Sequence, residues 1–166
     1  MILSDIKILE EIAKVKSESK DLMHWIKNAT YTKLVIEESM RLYPPAYFID
    51  RVNIEEDTFD GLTLPKGSNL LFSVYEIHRH PDFWKEPEAF IPERFLDENT
   101  KFSKNYFPFG AGPRMCIGNN FAMYEMSLAI IALVEQFKIK EKKDHIQIKP
   151  LITLKPHNAI LEFINR

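Results

Sequence analysis

The residues best suited to chemistry surround the only cysteine of the sequence, Cys116. A turn rich in glycine and proline leads into it, and an apolar run typical of a helix begins at Ile117. A cysteine beside a helix N-terminus is favoured as a thiolate, because free backbone N–H groups and the helix dipole stabilise negative charge. Arg114 adds a forked cation for an anionic group. This pattern suits a thiolate metal ligand, although a lone cysteine is commonly a small buried hydrophobe.

Other interpretations of this turn fit less well. Gly110 and Gly112 begin a Gly-x-Gly, but Pro108 precedes them and the third glycine is misplaced for a dinucleotide-binding fingerprint. The Gly-Lys-Ser/Thr of a phosphate-binding loop does not occur. One cysteine also excludes a structural zinc site built from several thiolates.

Length and composition predict a single domain over residues 1–166. The chain is 45% hydrophobic and contains 12 Phe, which is enough to bury a substantial core. Its net charge of −2 argues against a nucleic-acid partner. A single cysteine excludes an intramolecular disulfide and fits an intracellular, cytoplasmic location. No apolar run reaches the length of a membrane span, and the charged N-terminus resembles neither a signal peptide nor an anchor.

Three helices are predicted before the first proline pair, over residues 2–16, over residues 21–27 as a short turn, and from Thr30 to the Pro44-Pro45 stop. The third helix carries Glu38 on its otherwise apolar face. Burying that carboxylate requires a partner, and Arg41 at i+3 can supply one. A solvated pair at the edge of the face is the alternative.

A small β-sheet is predicted after this helix. The strands surround a polar turn, with Asp60-Gly61 as a tight reversal and Pro65-Lys66-Gly67 as a second turn. The predicted strands cover residues 46–51, 58–64 and 69–74. Residues 77–81 predict a short helix, whose His78 and His80 lack a third metal-type partner and are more typical of structural or solvent-facing histidines.

A long aromatic coil and a long helix follow. Residues 82–108 interleave aromatic residues with prolines, which indicates packed coil rather than disorder. Residues 117–137 predict a central, buried helix. Residues 139–166 predict strands, from the alternation of Ile146 and Ile148 onward. The fold class is therefore mainly α with small β-sheets (α+β).

The cysteine turn resembles a known signature. Phe109, Gly112, Arg114, Cys116 and Gly118 match Phe-x-x-Gly-x-Arg-x-Cys-x-Gly, the cysteine loop of the haem-thiolate monooxygenases, the cytochrome P-450 family. Three further segments are similar to motifs of that family in the same order: Glu38-x-x-Arg41, His78-Arg79-His80-Pro81-x-x-Trp84 and Pro92-Glu93-Arg94-Phe95.

The resemblance implies a role for each matching residue. Cys116 would be the axial thiolate ligand of the iron in haem b (iron protoporphyrin IX). Arg114 and Arg51 would pair with the haem propionates, Phe109 would screen the thiolate, and Gly118 would complete the haem-binding loop. A structural triad of Glu38, Arg41 and Arg94 would lock the coil against the helix, which implies that Glu38 is buried.

The resemblance also implies partners and a limit. A small apolar organic substrate would receive one oxygen atom of O₂, with electrons from a reductase or a ferredoxin at the proximal face. Complete members are far longer, so the chain resembles the C-terminal, proximal portion of the fold, without the distal residues that activate oxygen. Membrane association would then depend on a missing N-terminal part. A catalytically incompetent haem-binding or structural remnant is the alternative hypothesis.

Overall fold

The computed structural model describes residues 6–142 and 147–166. The first residues of the predicted N-terminal helix and the predicted strand position Ile146 lie outside the described residues. Over the described residues the fold class is mixed helix and strand, as the sequence predicts.

The helices and strands have the following bounds. The helices are α1 Ile6–Glu18, α2 Leu22–Asn28, α3 Thr30–Leu42, α4 Val74–Ile77, α5 Glu98–Lys101 and α6 Asn119–Gln136, with 3₁₀ turns at Pro92–Leu96 and Gly112–Arg114. The strands are β1 Phe48–Val52, β2 Asp57–Phe59, β3 Leu62–Leu64, β4 Asn69–Ser73, β5 Phe137–Glu141, β6 Ile148–Pro150, β7 Leu154–Pro156 and β8 Leu161–Asn165.

Helix α3 is the centre of the described fold, because it packs against α1, α6 and the 3₁₀ turn at Pro92–Leu96. Nine of its residues are buried, including three with charged side chains, which are usually found on a surface: Glu37, Glu38 and Arg41. The apolar core between α1, α3 and α6 is formed by the buried residues Ile8, Ile12, Ala29, Val35, Ile131 and Val134.

Helix α3 begins without a side-chain cap of its own, since its N-cap residue is Ala29. Glu11 of α1 replaces the missing cap: its carboxylate accepts hydrogen bonds from the backbone N–H groups of Tyr31 and Thr32 and from the Thr32 hydroxyl. A carboxylate at this position also complements the positive end of the helix dipole. The contact therefore fixes α3 to α1 through a polar interaction as well as through the apolar core.

A second apolar cluster fixes the aromatic coil against α3. Leu34 of α3 packs with Trp84, Phe95 and Tyr106, all of which are buried. The ring centroids of Phe95 and Tyr106 lie 4.8 Å apart. The predicted coil at residues 82–108 is thus ordered by packing, with two short helical turns within it.

Over residues 6–142 and 147–166 the strands form four antiparallel pairs rather than one sheet, which corrects the predicted pairing. β1 pairs with β4, whereas β2 and β3 form their own hairpin around Asp60-Gly61, where both residues have positive φ. Strand 46–51 therefore does not pair with 58–64. The predicted helix at residues 77–81 is also displaced: α4 spans Val74–Ile77, since the Ser73 hydroxyl caps it by accepting from the Glu76 N–H.

Helix α6 corrects another expectation. The sequence predicts a central buried helix, but among the described residues only Ser127, Ile131 and Val134 of α6 are buried. Phe121 and Tyr124 are exposed. The apolar residues of α6 lie on several sides, whereas α1, α2 and α3 cover one side of it. At its C-terminal end, Arg166 donates to the carbonyl oxygens of Val134 and Gln136.

Within the described part of the chain, no helix combines the length and the apolar character that crossing a membrane requires.

The core assignment predicts unequal costs for two truncations of isoleucine. Ile131→Ala removes buried methyl groups from the α1–α3–α6 core and is expected to lower the free energy of unfolding by roughly 2–5 kcal/mol. Ile152→Ala, at a side chain that is 94% exposed, is the matched control and is expected to change it by less than about 0.5 kcal/mol. Urea denaturation measures both, and equal midpoints would contradict the core described here.

Candidate functional site

Two charged residues of α3, Glu38 and Arg41, form a fully buried ion pair. The side chains of Glu38 and Arg41 are 0% exposed, and two parallel hydrogen bonds join them: Arg41 Nε to Glu38 Oε2 at 2.7 Å and Arg41 Nη2 to Glu38 Oε1 at 2.9 Å. This forked geometry is the strong arrangement for a guanidinium and a carboxylate. The alternative of a solvated pair at the helix edge is excluded by the burial of both groups.

Arg41 uses all of its donors. Besides the two bonds to Glu38, it donates to three backbone carbonyl oxygens, those of His78 at 2.8 Å, Pro87 at 2.8 Å and Ala89 at 3.1 Å. A guanidinium has five N–H groups, so none is left unsatisfied. Because the three carbonyls belong to the segment after α4, the arginine ties that segment to α3.

Glu38 also holds the coil. Its Oε1 atom accepts the backbone N–H of Ile91 at 2.9 Å and lies 3.4 Å from Arg94 Nε. Arg94 itself donates to the carbonyl oxygen of Glu86 at 2.7 Å. The structure thus brings together the three charged residues that the sequence singled out, Glu38, Arg41 and Arg94.

The buried cluster predicts a large effect of neutralising its one carboxylate. Glu38→Gln leaves the buried Arg41 charge without its partner and is expected to lower the free energy of unfolding by roughly 3–5 kcal/mol. The same substitution at Glu162, which pairs with Lys142 at 3.1 Å on the surface, is the matched control and is expected to cost about 1 kcal/mol or less. Denaturant unfolding of the two variants checks this, and similar costs would contradict it.

The cysteine loop, defined here as Phe109–Gly118, is shaped by its own backbone hydrogen bonds. The Cys116 N–H donates to the Phe109 carbonyl at 2.9 Å, and the Gly110 N–H donates to the Phe107 carbonyl at 2.9 Å. Gly110 and Gly112 have φ values of 77° and 69°, which side-chain-bearing residues rarely adopt. Gly118 is the N-cap of α6, so Cys116 lies just before that helix, as predicted, with its side chain exposed.

An apolar cavity of about 360 Å³ opens in front of this loop. Its walls come from α3, the 45–51 segment, the cysteine loop and α6. The lining residues are Met40, Pro45, Ala46, Ile49, Arg51, Pro108, Phe109, Gly110, Arg114, Cys116, Ala122 and Met126. A second apolar cavity, of about 470 Å³, shares the side chains of Met40, Pro45 and Met126 with the first.

The cavity places four of the five predicted haem-binding residues around one space. Phe109, Cys116 and the exposed arginines Arg51 and Arg114 all line it, while Gly118 follows the cysteine without lining it. A Cβ atom at residue 118 would lie 3.8 Å from Cys116 Sγ, so glycine leaves the space beside the sulfur open. Of the two arginines on the cavity, Arg51 donates a hydrogen bond from Nη1 to the carbonyl oxygen of Asp50.

Among the described residues no group of three or more His, Cys, Asp or Glu side chains could hold a metal ion.

Two buried polar contacts were not predicted from the sequence. The Tyr106 hydroxyl donates to the Glu37 carboxylate, and Lys101 Nζ lies 3.4 Å from the same carboxylate. Burial, with the neighbouring Glu37 charge, raises the pKa of Tyr106 well above its usual value. The spacing of 69 residues between Glu37 and Tyr106 leaves no local signal in the sequence.

The second buried contact that the sequence did not predict is made by His78, whose side chain is 0% exposed. The other histidine of the motif, His80, is exposed. His78 Nε2 accepts the backbone N–H of Phe107 at 3.0 Å, so the imidazole proton lies on Nδ1. Burial lowers the pKa of His78 to about 4, and the charges of Arg41 and Arg79 act in the same direction. The backbone oxygens of Met40 and Arg41 oppose that shift.

The lowered pKa of His78 predicts a loss of stability in mild acid. The folded state favours the neutral ring, so the stabilisation is complete above the ordinary pKa of about 6.5 and is lost as the pH falls toward about 4. The loss is expected to reach on the order of 3 kcal/mol. Urea unfolding at a series of pH values measures it.

The groups that face the ring are Arg41 from α3, the adjacent Arg79 and the stacked Tyr106. His78→Gln is expected to flatten the pH dependence between those limits, while His80→Gln leaves it in place. An unchanged slope in the His78 variant would contradict the assignment of this titration to His78.

The sequence matches a known family over almost all of the described fold. Residues 6–163 match the sequence model described as "Cytochrome P450". Lithocholate 6-beta-hydroxylase from Mesocricetus auratus is 40% identical over 142 residues, which are 82% of this chain and 28% of that protein. Cytochrome P450 3A18 from Rattus norvegicus is 44% identical over 122 residues, 72% of this chain and 24% of that protein. The probable cytochrome P450 4p3 from Drosophila melanogaster is 42% identical over 140 residues, 81% and 27%.

The fold has solved counterparts as well. The crystal structure of the cytochrome P450DA heme domain superposes with a TM-score of 0.81 at 24% identity, covering 95% of this chain and 37% of that domain. At that identity the match shows the fold alone. The chain spans about a quarter of the length of the curated relatives it matches, so it corresponds to part of the fold.

Proposed function

Because the chain belongs to the cytochrome P450 family, we propose that it forms the thiolate-bearing portion of a monooxygenase that inserts one oxygen atom of O₂ into an organic substrate. Haem is the cofactor that membership of this family implies. In the proposal the group is haem b, and Cys116 would hold its iron through the sulfur.

The observation that carries the proposal is the lining of the cavity in front of the cysteine loop. Its walls are apolar, one thiol lies on them, and two arginines lie at positions 51 and 114. A flat, largely apolar molecule with two carboxylates and a central metal requires these features together. The residues present therefore fit haem.

When bound, haem would supply the oxygen-activating chemistry, which a thiolate ligand promotes by donating electron density to the iron. The chain's own contribution is to hold the sulfur. The bond from the Cys116 N–H to the Phe109 carbonyl fixes the backbone at the cysteine, just before the N-terminus of α6. Phe109, on the cavity wall, would keep water away from the sulfur.

Arg51 and Arg114 would orient the group by pairing with its carboxylates. Both side chains come from short regular elements, β1 and the 3₁₀ turn at Gly112–Arg114, which hold them better than a free loop would. The triad of Glu38, Arg41 and Arg94 would act further away, by holding the segments that lead to the loop.

The proposal also includes a substrate class, an electron donor and a location in the cell. The second apolar cavity favours a small apolar organic substrate. One relative is named for hydroxylation of lithocholate, and hydroxylation of an organic molecule is the reaction class proposed for this chain. Electrons would come from a reductase or a ferredoxin at the face of the cysteine loop. The single free thiol fits an intracellular location.

Replacing the sulfur tests the assignment directly. Cys116→Ser is expected to abolish thiolate ligation, because a hydroxyl cannot replace a thiolate as a soft, electron-donating ligand. The measurement is the carbon monoxide difference spectrum of the reduced, haem-loaded protein, in which thiolate ligation has a characteristic band. Met115→Leu, at the exposed neighbouring side chain, is the control. Persistence of the thiolate band in the serine variant would refute the proposal.

A further inference from the structure

The backbone N–H of Phe107 is bonded to a side chain rather than to the backbone. It donates to His78 Nε2 at 3.0 Å, across 29 residues of sequence. Phe107 lies in coil, where no strand or helix supplies an acceptor. A buried or partly buried N–H without an acceptor is costly, so the imidazole satisfies a need that the local backbone does not.

His78 is itself held on several sides. Its carbonyl oxygen accepts a hydrogen bond from Arg41, and its own N–H donates to the Val74 carbonyl at 2.9 Å. Its ring stacks on Tyr106, with centroids 5.2 Å apart, and meets the edge of Phe107 at 5.4 Å. The ring therefore has a fixed position relative to the buried charge cluster.

A short series of contacts leads from this ring to the cysteine. The carbonyl oxygen of Phe107 accepts the Gly110 N–H, and the carbonyl oxygen of Phe109 accepts the Cys116 N–H, both at 2.9 Å. Residue 107 is thus the point at which the cysteine loop leaves the packed coil. A shift of residue 107 would act directly on Gly110, at the start of the cysteine loop, and through the adjacent backbone on Phe109, whose carbonyl holds the Cys116 N–H.

Resting on the proposed function of Cys116, we propose that His78 is a positioning residue for the thiolate: its Nε2 lone pair holds the Phe107 amide and so fixes the start of the cysteine loop. Its Nδ1–H faces the backbone oxygens of Met40 and Arg41, which favours the tautomer that leaves Nε2 free to accept. Trp84, with its ring centroid 6.4 Å away, helps to hold the ring in that orientation.

Two substitutions of His78 distinguish the effect of its Nε2 hydrogen-bond acceptor from the effect of its aromatic ring. His78→Phe keeps an aromatic ring against Tyr106 but removes the acceptor, whereas His78→Gln loses the ring but can present an amide oxygen near the Nε2 position. In haem-loaded, reduced, carbon-monoxide-bound protein, the phenylalanine variant is expected to convert from the thiolate-ligated form to the non-thiolate form on the order of tenfold faster. The glutamine variant is expected to stay within about twofold of the unaltered protein.

Two controls distinguish positioning from general destabilisation. His80→Phe makes the same substitution at the exposed histidine two residues away, and is expected to leave the conversion rate unchanged. Tyr106→Phe removes the bond to Glu37 but keeps the aromatic contact with His78. It is expected to lower stability without changing the ligation spectrum. If Tyr106→Phe speeds conversion as much as His78→Phe does, general loosening explains the effect and the proposal is wrong.

Hydrogen exchange of the unaltered protein keeps the proposal testable if His78→Phe does not fold. The Phe107 amide is expected to exchange at least about 100-fold more slowly than an exposed amide of similar sequence. An unprotected Phe107 amide overturns the proposal, as does a folded His78→Phe variant that keeps the thiolate form. Unaltered protein that binds haem without thiolate ligation refutes the proposed function as well, so the two failures are distinguishable.

Discussion

The buried bond between Glu38 and Arg41 is the interaction on which the rest of the structure depends. Two opposite charges without access to water are stable only when every donor and acceptor is satisfied. Arg41 meets that condition by binding three carbonyls of the segment after α4, and Glu38 by binding the coil at Ile91. The coil therefore has little freedom relative to α3. Because the cysteine loop follows directly after that coil, the coil determines where the loop begins.

Much of the fold was accessible from the sequence, because the helices follow local periodicity and caps. Helix α3 ends at Leu42, before Pro44, as predicted. The aromatic residues of the 82–108 segment correctly predicted a packed coil. The pairing of β1 with β4 was not accessible, since strand order depends on contacts distant in sequence. The burial of α6 was overestimated for a similar reason: an apolar sequence shows what could be covered, whereas the neighbouring segments decide what is covered.

The candidate site, too, was predicted from the sequence only in part. The motif spacing singled out Cys116, Arg114 and the Glu38-x-x-Arg41 pair. The structure has the first two on one cavity and the pair fully buried. The contacts of His78 and Glu37 left no signal, because each depends on a partner that only the folded chain brings near. A histidine beside a second histidine gave no indication that one ring is buried and the other exposed.

The cavity walls have a kinetic consequence. They come from α3, from the segment after it, from the cysteine loop and from α6, so no short stretch of chain contains the site. Contacts between such distant segments carry the entropy cost of closing long loops and form late in folding. A chain stopped before residue 109 during synthesis would contain Glu38, Arg41 and the segments that bind them, but neither the cysteine loop nor α6. Ligand affinity would then appear only with the last third of the sequence, and a bound ligand would stabilise the folded state as a whole.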